Sequence, residues 1–329
     1  MLPTYPPEGY DIIVKAVSPD RVRHHHARPR STMSIDLHFH SRYSDGQFWP
    51  NELVNRLGKA GVTIAALTDH DTFAGVPAFL DAAKREGIEG VAAVEIDFCD
   101  PDLGFKSELL AYFPTGSYAR TEALLRPFQE NRRQIALEAM KKGAGCWPAA
   151  GVSFPGFLGY KTGQSPSPET APSFSMSKHD VFAYFQTVVS DLGGTAYRNF
   201  KAEFFDSDAA FRRSPEKPTL KGCIEAVRAD GGFPVLAHPG LQFDWNAPSM
   251  RSKANEYAER LRQAKAVGLW GIELHKCKTQ NEAAEINPLV RELAHSTGLC
   301  MTFGSDFHKD TPHNYPSLGV EGERFEGWT

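Results

Sequence analysis

The sequence predicts an α/β protein, a distorted seven-stranded (βα) barrel with a mostly helical insertion. Three observations carry that reading. Short strand-like runs alternate with amphipathic helical runs, as parallel sheets and barrels require. The alternation stops near residue 115 and resumes near residue 214. Histidines and carboxylates recur at the carboxyl ends of the strand-like runs, where an α/β barrel gathers its chemistry. With 329 residues the chain can bury a sizeable core.

Taken in order, residues 1–33 read as an irregular leader. "MLPTYPPEGY" is proline-rich and "RVRHHHARPRSTM" is basic, with the His24–His26 triplet read as a solvated segment and Met33 as a second candidate start. "SIDLHFH" alternates and is a strand. "PNELVNRLGKAG" is a helix, with Leu53, Val54 and Leu57 at helical spacing, Pro50 at its start and Gly61 at its end. "VTIAALTDH" is a buried strand, "GVPAFLDAAKREG" a helix closed by Gly87, and "IEGVAAVEIDF" and "SELLAYF" are strands. Residues 115–142 read as one or two helices. Residues 143–177, rich in Gly, Pro and Ser without a period, read as a long loop. Residues 178–213 read as helical, interrupted by "LGGTAYRN". Then follow the helix "TLKGCIEAVRADGG", the strand "FPVLAHPG", the helix "KANEYAERLRQAKAVG", the strand "LWGIELHK", the helix "EINPLVRELAHSTG" and the strand "LCMTFGSDFH". The expected organisation is a barrel of residues 34–114 and 214–329, with 115–213 inserted over the active site.

Bulk properties narrow the function. A net charge of −4 gives no broad basic field, so duplex DNA is not an expected partner. Five scattered cysteines without a CxxC spacing argue against a disulfide framework or zinc ribbon and fit a cytoplasmic location. No apolar run reaches the roughly 18 residues a spanning helix needs, so no membrane association is expected.

The polar residues at strand ends are the informative ones. His38 and His40 end the first strand, His70 follows the second, Glu95 ends the third, His238 a later one, and Asp306 and His308 the last. Side chains two apart on a strand share a face, so His38 with His40, and Asp306 with His308, can chelate together. One HxH is weak, since a single strand-end histidine is more often a satisfied polar group. The whole set, at one end of successive strands, reads as a metal site.

The stretches "DLHFHSRYSDG", "LTDHD", "VEI", "LAHPG" and "GSDFH" resemble the polymerase-and-histidinol-phosphatase (PHP) domain, closest to its stand-alone, TrpH-like phosphoesterases, over residues 35 to about 320. The resemblance implies a seven-stranded distorted barrel and two or three divalent ions, Mn²⁺ or Fe²⁺ foremost, with Zn²⁺ or Mg²⁺ as alternatives. Carried over by position, His38, His40, Glu95 and Asp306 would hold the first ion. Glu95 would bridge to a second, held also by His238, and Asp45, His70 and His308 would hold a third. This chain departs from the family at Glu108, which stands where a histidine is usual. A harder, anionic ligand would favour Mn²⁺, Mg²⁺ or Fe²⁺.

Asp69 reads as the carboxylate orienting His70, and Asp71 as a helix cap. Arg132, Arg133 and Arg198, with Lys201, are candidate phosphate-binding residues of the insertion, Arg198 and Arg132 sharing transition-state charge. "YRNF" places Asn199 and Phe200 where the family segment usually has Pro and His. His238 is the candidate general acid if it is free of metal. His179, His275, His295 and His313 are read as non-ligands. Phe48 and Trp49 either wall the mouth or pack in the core. The resemblance implies phosphomonoester hydrolysis by in-line attack of a hydroxide bridging two metals. The substrate would be a nucleoside 3′,5′-bisphosphate or short 5′-phosphorylated RNA. Histidinol phosphate, and a degenerate domain that binds metal or nucleotide without turnover, are the alternatives. An amidohydrolase is disfavoured by the lack of a suitably placed bridging lysine.

Overall fold

In the computed structural model, the described residues are 33–163, 174–211, 217–277, 279–312 and 316–322. The leader, including His24–His26, and His313 lie outside them. Seven strands wind around one axis. β1 (Met33–Asp36), β2 (Ile64–Leu67) and β3 (Glu89–Asp100) run parallel. β4 (Phe105–Phe113) runs antiparallel to β3 and to β5 (Phe233–Leu236). β5, β6 (Gly271–His275) and β7 (Cys300–Gly304) are again parallel. The residues after β1 and β7 pair with each other and nearly close the barrel. Leu37 N donates to Phe303 O (3.1 Å), Asp306 N to His38 O (2.7 Å) and His40 N to Phe307 O (2.9 Å). A short β8 (Val320–Gly322) adds antiparallel to the outer edge of β1.

The reversal at β4 corrects the simple strand–helix reading and matters for the site. β3 and β4 form a hairpin in which Asp97 faces Glu108 in register. Because β4 runs the other way, its beginning lies at the mouth where its neighbours end. Glu108 therefore reaches the mouth from near the start of its strand.

Helices cover the barrel: α1 (Pro50–Lys59), α2 (Val76–Glu86), α7 (Leu220–Ala229), α8 (Ala247–Ser252), α9 (Ala254–Ala266) and α10 (Gln280–Thr297). α1 and α2 bury Leu53, Val54, Leu57 and Phe79 against Phe39, Ala65 and Leu67. The sequence between α2 and α7 supplies the helical insertion. α3 (Ala119–Cys146) is one continuous helix despite Pro127. It is followed by α4 (Phe154–Thr162), α5 (Lys178–Val188) and α6 (Tyr197–Phe200). Residues 154–162, read from sequence as loop, are helical. Ser153 caps the start by accepting from Gly156 N (3.2 Å), and Gly163 ends the helix in the left-handed region (φ 66°). The helix shows no amphipathic period because it is apolar nearly all round. Phe157 and Leu158 belong to a separate core with Met140, Phe182, Phe185, Phe200, Phe204 and Phe205.

The long helix is fastened to the barrel by a buried carboxylate. The first amides of a helix have no partner within it, and Tyr118 supplies no capping side chain. Asp230, at the end of α7, accepts instead from Arg120 N (3.1 Å), Thr121 N (2.8 Å) and Thr121 Oγ1 (2.9 Å). Replacing Asp230 with Ala is expected to cost about 2–3 kcal/mol of stability, since three bonds to one charged acceptor disappear and the two Thr121 donors stay buried. Urea unfolding of the two proteins measures it. A change below about 0.5 kcal/mol would show that α3 is held by packing alone.

Candidate metal centre

At the mouth the side chains converge on Glu95. Its Oε2 lies 3.2 Å from His38 Nε2, His40 Nε2 and His70 Nδ1, and its Oε1 lies 3.0 Å from His238 Nε2. Asp306 Oδ1 stands across the same space, 3.3 Å from His38 Nε2 and 3.2 Å from His40 Nε2. Glu108 Oε2 is 3.2 Å from His238 Nε2. On the other side Asp45 Oδ2 is 3.7 Å from His70 Nε2 and 3.4 Å from His308 Nε2. Three overlapping groups of mutually close donor atoms result: His38, His40, Glu95 and Asp306; Glu95, Glu108 and His238; His40, Asp45, His70 and His308. The structure thus brings together every residue that sequence placed among the metal ligands.

The groups fit divalent ions on two counts. Ligand atoms about 2.1 Å from one ion lie roughly 3.0–3.4 Å from each other, which is the spacing around Glu95 and Asp306, while Asp45 stands wider, 3.7 Å from His70. Second, the facing atoms are not satisfied by one another. His38 Nε2, His40 Nε2 and Glu95 Oε2 are buried and make no hydrogen bond among the described residues. Their separations suit hydrogen bonds and their directions do not, as expected of lone pairs aimed at a shared point.

Residues behind the ligands fix their orientation. Glu273, fully buried on β6, lies 2.8 Å from His38 Nδ1 with one oxygen and accepts from His238 N (2.8 Å) with the other. It thereby keeps the His38 proton on Nδ1 and leaves Nε2 free. His308 Nδ1 lies 2.9 Å from Asp306 O, which frees its Nε2 in the same way. Sequence reading missed Glu273. The signal was there: Glu273 and His275 are two apart on a buried strand, the spacing that singled out His38 and His40. Two glycines are required by close approach. A Cβ on Gly304 would lie 2.2 Å from His38 Cβ, and one on Gly46 would lie 2.2 Å from His40 O.

Asp69 and Asp71 differ from their expected roles. The Asp69 carboxylate makes no hydrogen bond to His70 among the described residues. It accepts from Ser41 N (2.7 Å), Ser41 Oγ (2.6 Å) and Ser44 Oγ (2.6 Å), and so shapes the turn that presents Asp45. Asp71 does not cap α2, whose N-cap is Gly75. Its carboxylate accepts from Asp97 N (3.0 Å) and pairs with Arg132. Arg132 also donates to Asp97 (2.7 Å), so two carboxylates neutralise it. Arg133 stacks over Phe154 (5.3 Å). Arg198 is exposed on α6 and Lys201 pairs with Asp206 (3.1 Å); neither lines the clefts at the cluster. The short α6 turn faces Phe200 into the aromatic core of the insertion and leaves its cations outside. Phe48 is packed between Phe307 (6.1 Å) and Arg56 (3.7 Å), and Trp49 lies edge-on to Tyr43 (5.5 Å).

Two clefts open on the cluster. One, about 720 Å³, is lined from the barrel side by Arg42, Asp45, His70, His308 and Lys309, and from the insertion side by Tyr160, Lys161, His179 and Asp180. Lys161 is taken up by Asp180 (2.8 Å) and Ser44 O. Arg42 and Lys309 make no ion pair with the described residues. The other cleft, about 400 Å³, is bounded by Glu108, His238, His275, Asp306, Leu241 and Trp245.

A barrel mouth with three such groups defines a metal-dependent hydrolase. Comparison with known proteins agrees. Residues 36–144 match the PHP domain. The chain is 27% identical over 279 residues to a 5′-3′ exoribonuclease of Haemophilus influenzae, covering 84% of this chain and 90% of that one. It is 26% identical over 289 residues to a 3′,5′-nucleoside bisphosphate phosphatase of Chromobacterium violaceum, covering 84% and 87%. A solved structure from Bifidobacterium adolescentis, assigned as a metal-dependent phosphoesterase, shares the fold, with a TM-score of 0.62, 21% identity and coverage of 85% and 89%. The chain carries a PHP domain over residues 36–144 and is a phosphoesterase. No helix among the described residues is long and apolar enough to cross a membrane.

The protonation of the cluster without ions follows from its charges. Burial disfavours the imidazolium of His40, but Asp306 and Glu95 outweigh it and raise this group to about 10. His238 is likewise raised, against burial, by Glu95 and Glu108 to about 9. Burial, then repulsion from Glu95, push Glu108 up to about 7. At pH 7.5 the ion-free protein therefore keeps protons on His40 and His238 that a ligand must lose. Mn²⁺ affinity is expected to fall as pH drops from about 9 to 6, with proton release on binding. Calorimetry in two buffers of different ionisation enthalpy measures it; affinity flat across that range would contradict the assignment. For the ion-free protein the sign runs the other way. The stabilisation from protonated His40 and His238 is complete below about pH 6.5, their unfolded value, and lost as pH rises through about 9 and 10.

Proposed function

We propose that this phosphoesterase removes a phosphate from a small phosphorylated molecule, a nucleoside 3′,5′-bisphosphate or a short 5′-phosphorylated oligoribonucleotide. The carrying observation is the three donor groups opening onto a cleft lined by Arg42 and Lys309, two cations that make no ion pair among the described residues. His38, His40, Glu95 and Asp306 would hold one divalent ion; Glu95, Glu108 and His238 a second; Asp45, His70 and His308 a third. When bound, such ions lower the pKa of water and neutralise charge on phosphoryl oxygens. The glutamate at position 108 suits Mn²⁺, Fe²⁺ or Mg²⁺ better than a nitrogen-rich zinc site.

The chain's own residues do the rest. Arg42 and Lys309, which make no ion pair among the described residues, would meet an anionic substrate, and a guanidinium can bind two of its oxygens at once. Arg132 also lines the larger cleft beside Glu108, and its pairing with Asp71 and Asp97 holds the β3–β4 hairpin in place. It would add positive charge to the wall that the substrate meets, shared with these carboxylates. The segment 115–213 serves as the cover of the site, since Tyr160, Lys161 and His179 wall the larger cleft. His179 offers that wall a neutral ring, because burial lowers its pKa. The two relatives whose names describe nucleotide or RNA substrates align over most of their length, which supports the same substrate class.

Phosphate release from adenosine 3′,5′-bisphosphate, short 5′-phosphorylated RNA and histidinol phosphate, with Mn²⁺ or with EDTA, tests the reading. Release from the first or second that EDTA abolishes is expected. Arg42→Ala and Lys309→Ala should each raise KM about tenfold with kcat nearly unchanged, the signature of a lost ground-state contact. Release from histidinol phosphate alone would overturn the substrate class.

A further inference from the structure

The smaller cleft contains a buried imidazole that none of the donor groups uses. His275 ends β6 and is 6% exposed. Its backbone is clamped by Asn287, whose Oδ1 accepts from His275 N (3.3 Å) and whose Nδ2 donates to His275 O (2.9 Å). Trp245 stacks on the ring (5.2 Å, 27°). Two residues on, Cys277 takes a left-handed backbone (φ 60°) that turns its amide back onto the ring. Cys277 N donates to His275 Nδ1 at 2.7 Å.

That last bond fixes the tautomer. A nitrogen that accepts a hydrogen bond bears no proton, so the ring proton is on Nε2. Nε2 then cannot ligate an ion, but it can donate. It is buried and makes no hydrogen bond among the described residues, and His275 lines the cleft shared by Glu108, His238 and Asp306. Asp306 Oδ2 lies 3.3 Å away without taking the bond. A buried donor left without a partner in a cleft beside the reacting centre calls for a ligand acceptor.

We propose that His275 Nε2–H donates a hydrogen bond to a phosphoryl oxygen of the bound substrate, making His275 a catalytic residue beside the metal ligands. The inference rests on the phosphoesterase reading above. The donor is set before the substrate arrives, so it would stabilise charge growing on that oxygen without reorganisation.

Imidazole ¹H–¹⁵N correlation spectra of the Mg²⁺-loaded protein, with His275 assigned by its loss in His275→Gln, read the tautomer directly. A protonated Nε2 whose resonance moves when inorganic phosphate is added is expected. Phosphate release from adenosine 3′,5′-bisphosphate should fall about 100-fold in kcat for His275→Phe, with Mn²⁺ affinity by electron paramagnetic resonance unchanged. His275→Gln, which keeps an N–H, should recover part of the rate. A bare Nε2, a resonance unmoved by phosphate, or kcat within twofold of the parent would overturn the proposal. So would a loss of Mn²⁺ affinity parallel to the loss of rate, because His275 would then act by positioning Asp306. If the parent protein releases phosphate from no ester, the phosphoesterase reading fails, while the tautomer and the phosphate shift still decide whether His275 is a donor to phosphate.

Discussion

A fully buried carboxylate sets the terms for the rest of this molecule. Glu95 has no access to water, and burying an ionised group is expensive unless opposite charge surrounds it. Four imidazoles from three segments lie within 3.2 Å of its oxygens. Burial pushes the Glu95 pKa up, yet His38 and His70 prevail and hold it well below the usual carboxylate range. Two states satisfy this demand: protonated histidines, or neutral histidines around divalent ions. The second also satisfies His38 Nε2, His40 Nε2 and Glu95 Oε2, which the first leaves without well-directed bonds. The barrel closure, the β3–β4 hairpin and Glu273 behind His38 all serve to keep these groups at that separation.

The backbone at the mouth is held where most residues resist going. Asp71 (φ 51°), His238 (φ 24°) and Asp306 (φ 53°) take positive φ without being glycine. Such conformations cost on the order of 1–3 kcal/mol each and persist where the surroundings over-determine them. Each of the three has its amide fixed by a short bond: Asp71 N to Glu95 O (2.7 Å), His238 N to Glu273 Oε2 (2.8 Å) and Asp306 N to His38 O (2.7 Å). The acceptors belong to Glu95, to His38 and to the residue that orients His38. The strain and the donor cluster are thus one construction. Each bond that enforces a turn also fixes the distance between two groups at the centre.

Much of this was legible in sequence because strand geometry is periodic. His38 and His40, or Asp306 and His308, reveal their shared face through spacing alone. What was not legible depends on contacts between distant segments. Glu273 sits on an otherwise apolar strand and shows its meaning only when His38 is found 2.8 Å away. The antiparallel run of β4 could not be read from "SELLAYF", since a buried strand looks alike in either direction. α4 reads as loop in sequence because a helix that is apolar nearly all round has no amphipathic stripe. The arginines were the hardest. Arg132 and Arg198 look equivalent in sequence, yet one meets two carboxylates at the wall of the larger cleft and the other faces solvent.

The pairing of Arg132 and Lys161 explains why an insertion belongs on this barrel. α3 contributes Arg132, which bridges Asp71 after β2 and Asp97 on β3. α4 contributes Lys161, which is buried, paired with Asp180 of α5 and bonded to Ser44 O. Ser44 directly precedes Asp45 and donates to Asp69. One inserted cation therefore braces the hairpin that carries Glu95 and Glu108, and another braces the turn that carries Asp45. Both are desolvated, and a buried pair earns little net stability against its desolvation. Their contribution lies in geometry: removing either would leave a carboxylate free to swing at the edge of the centre. The insertion walls the larger cleft and, through these two contacts, also holds the carboxylates that the centre needs.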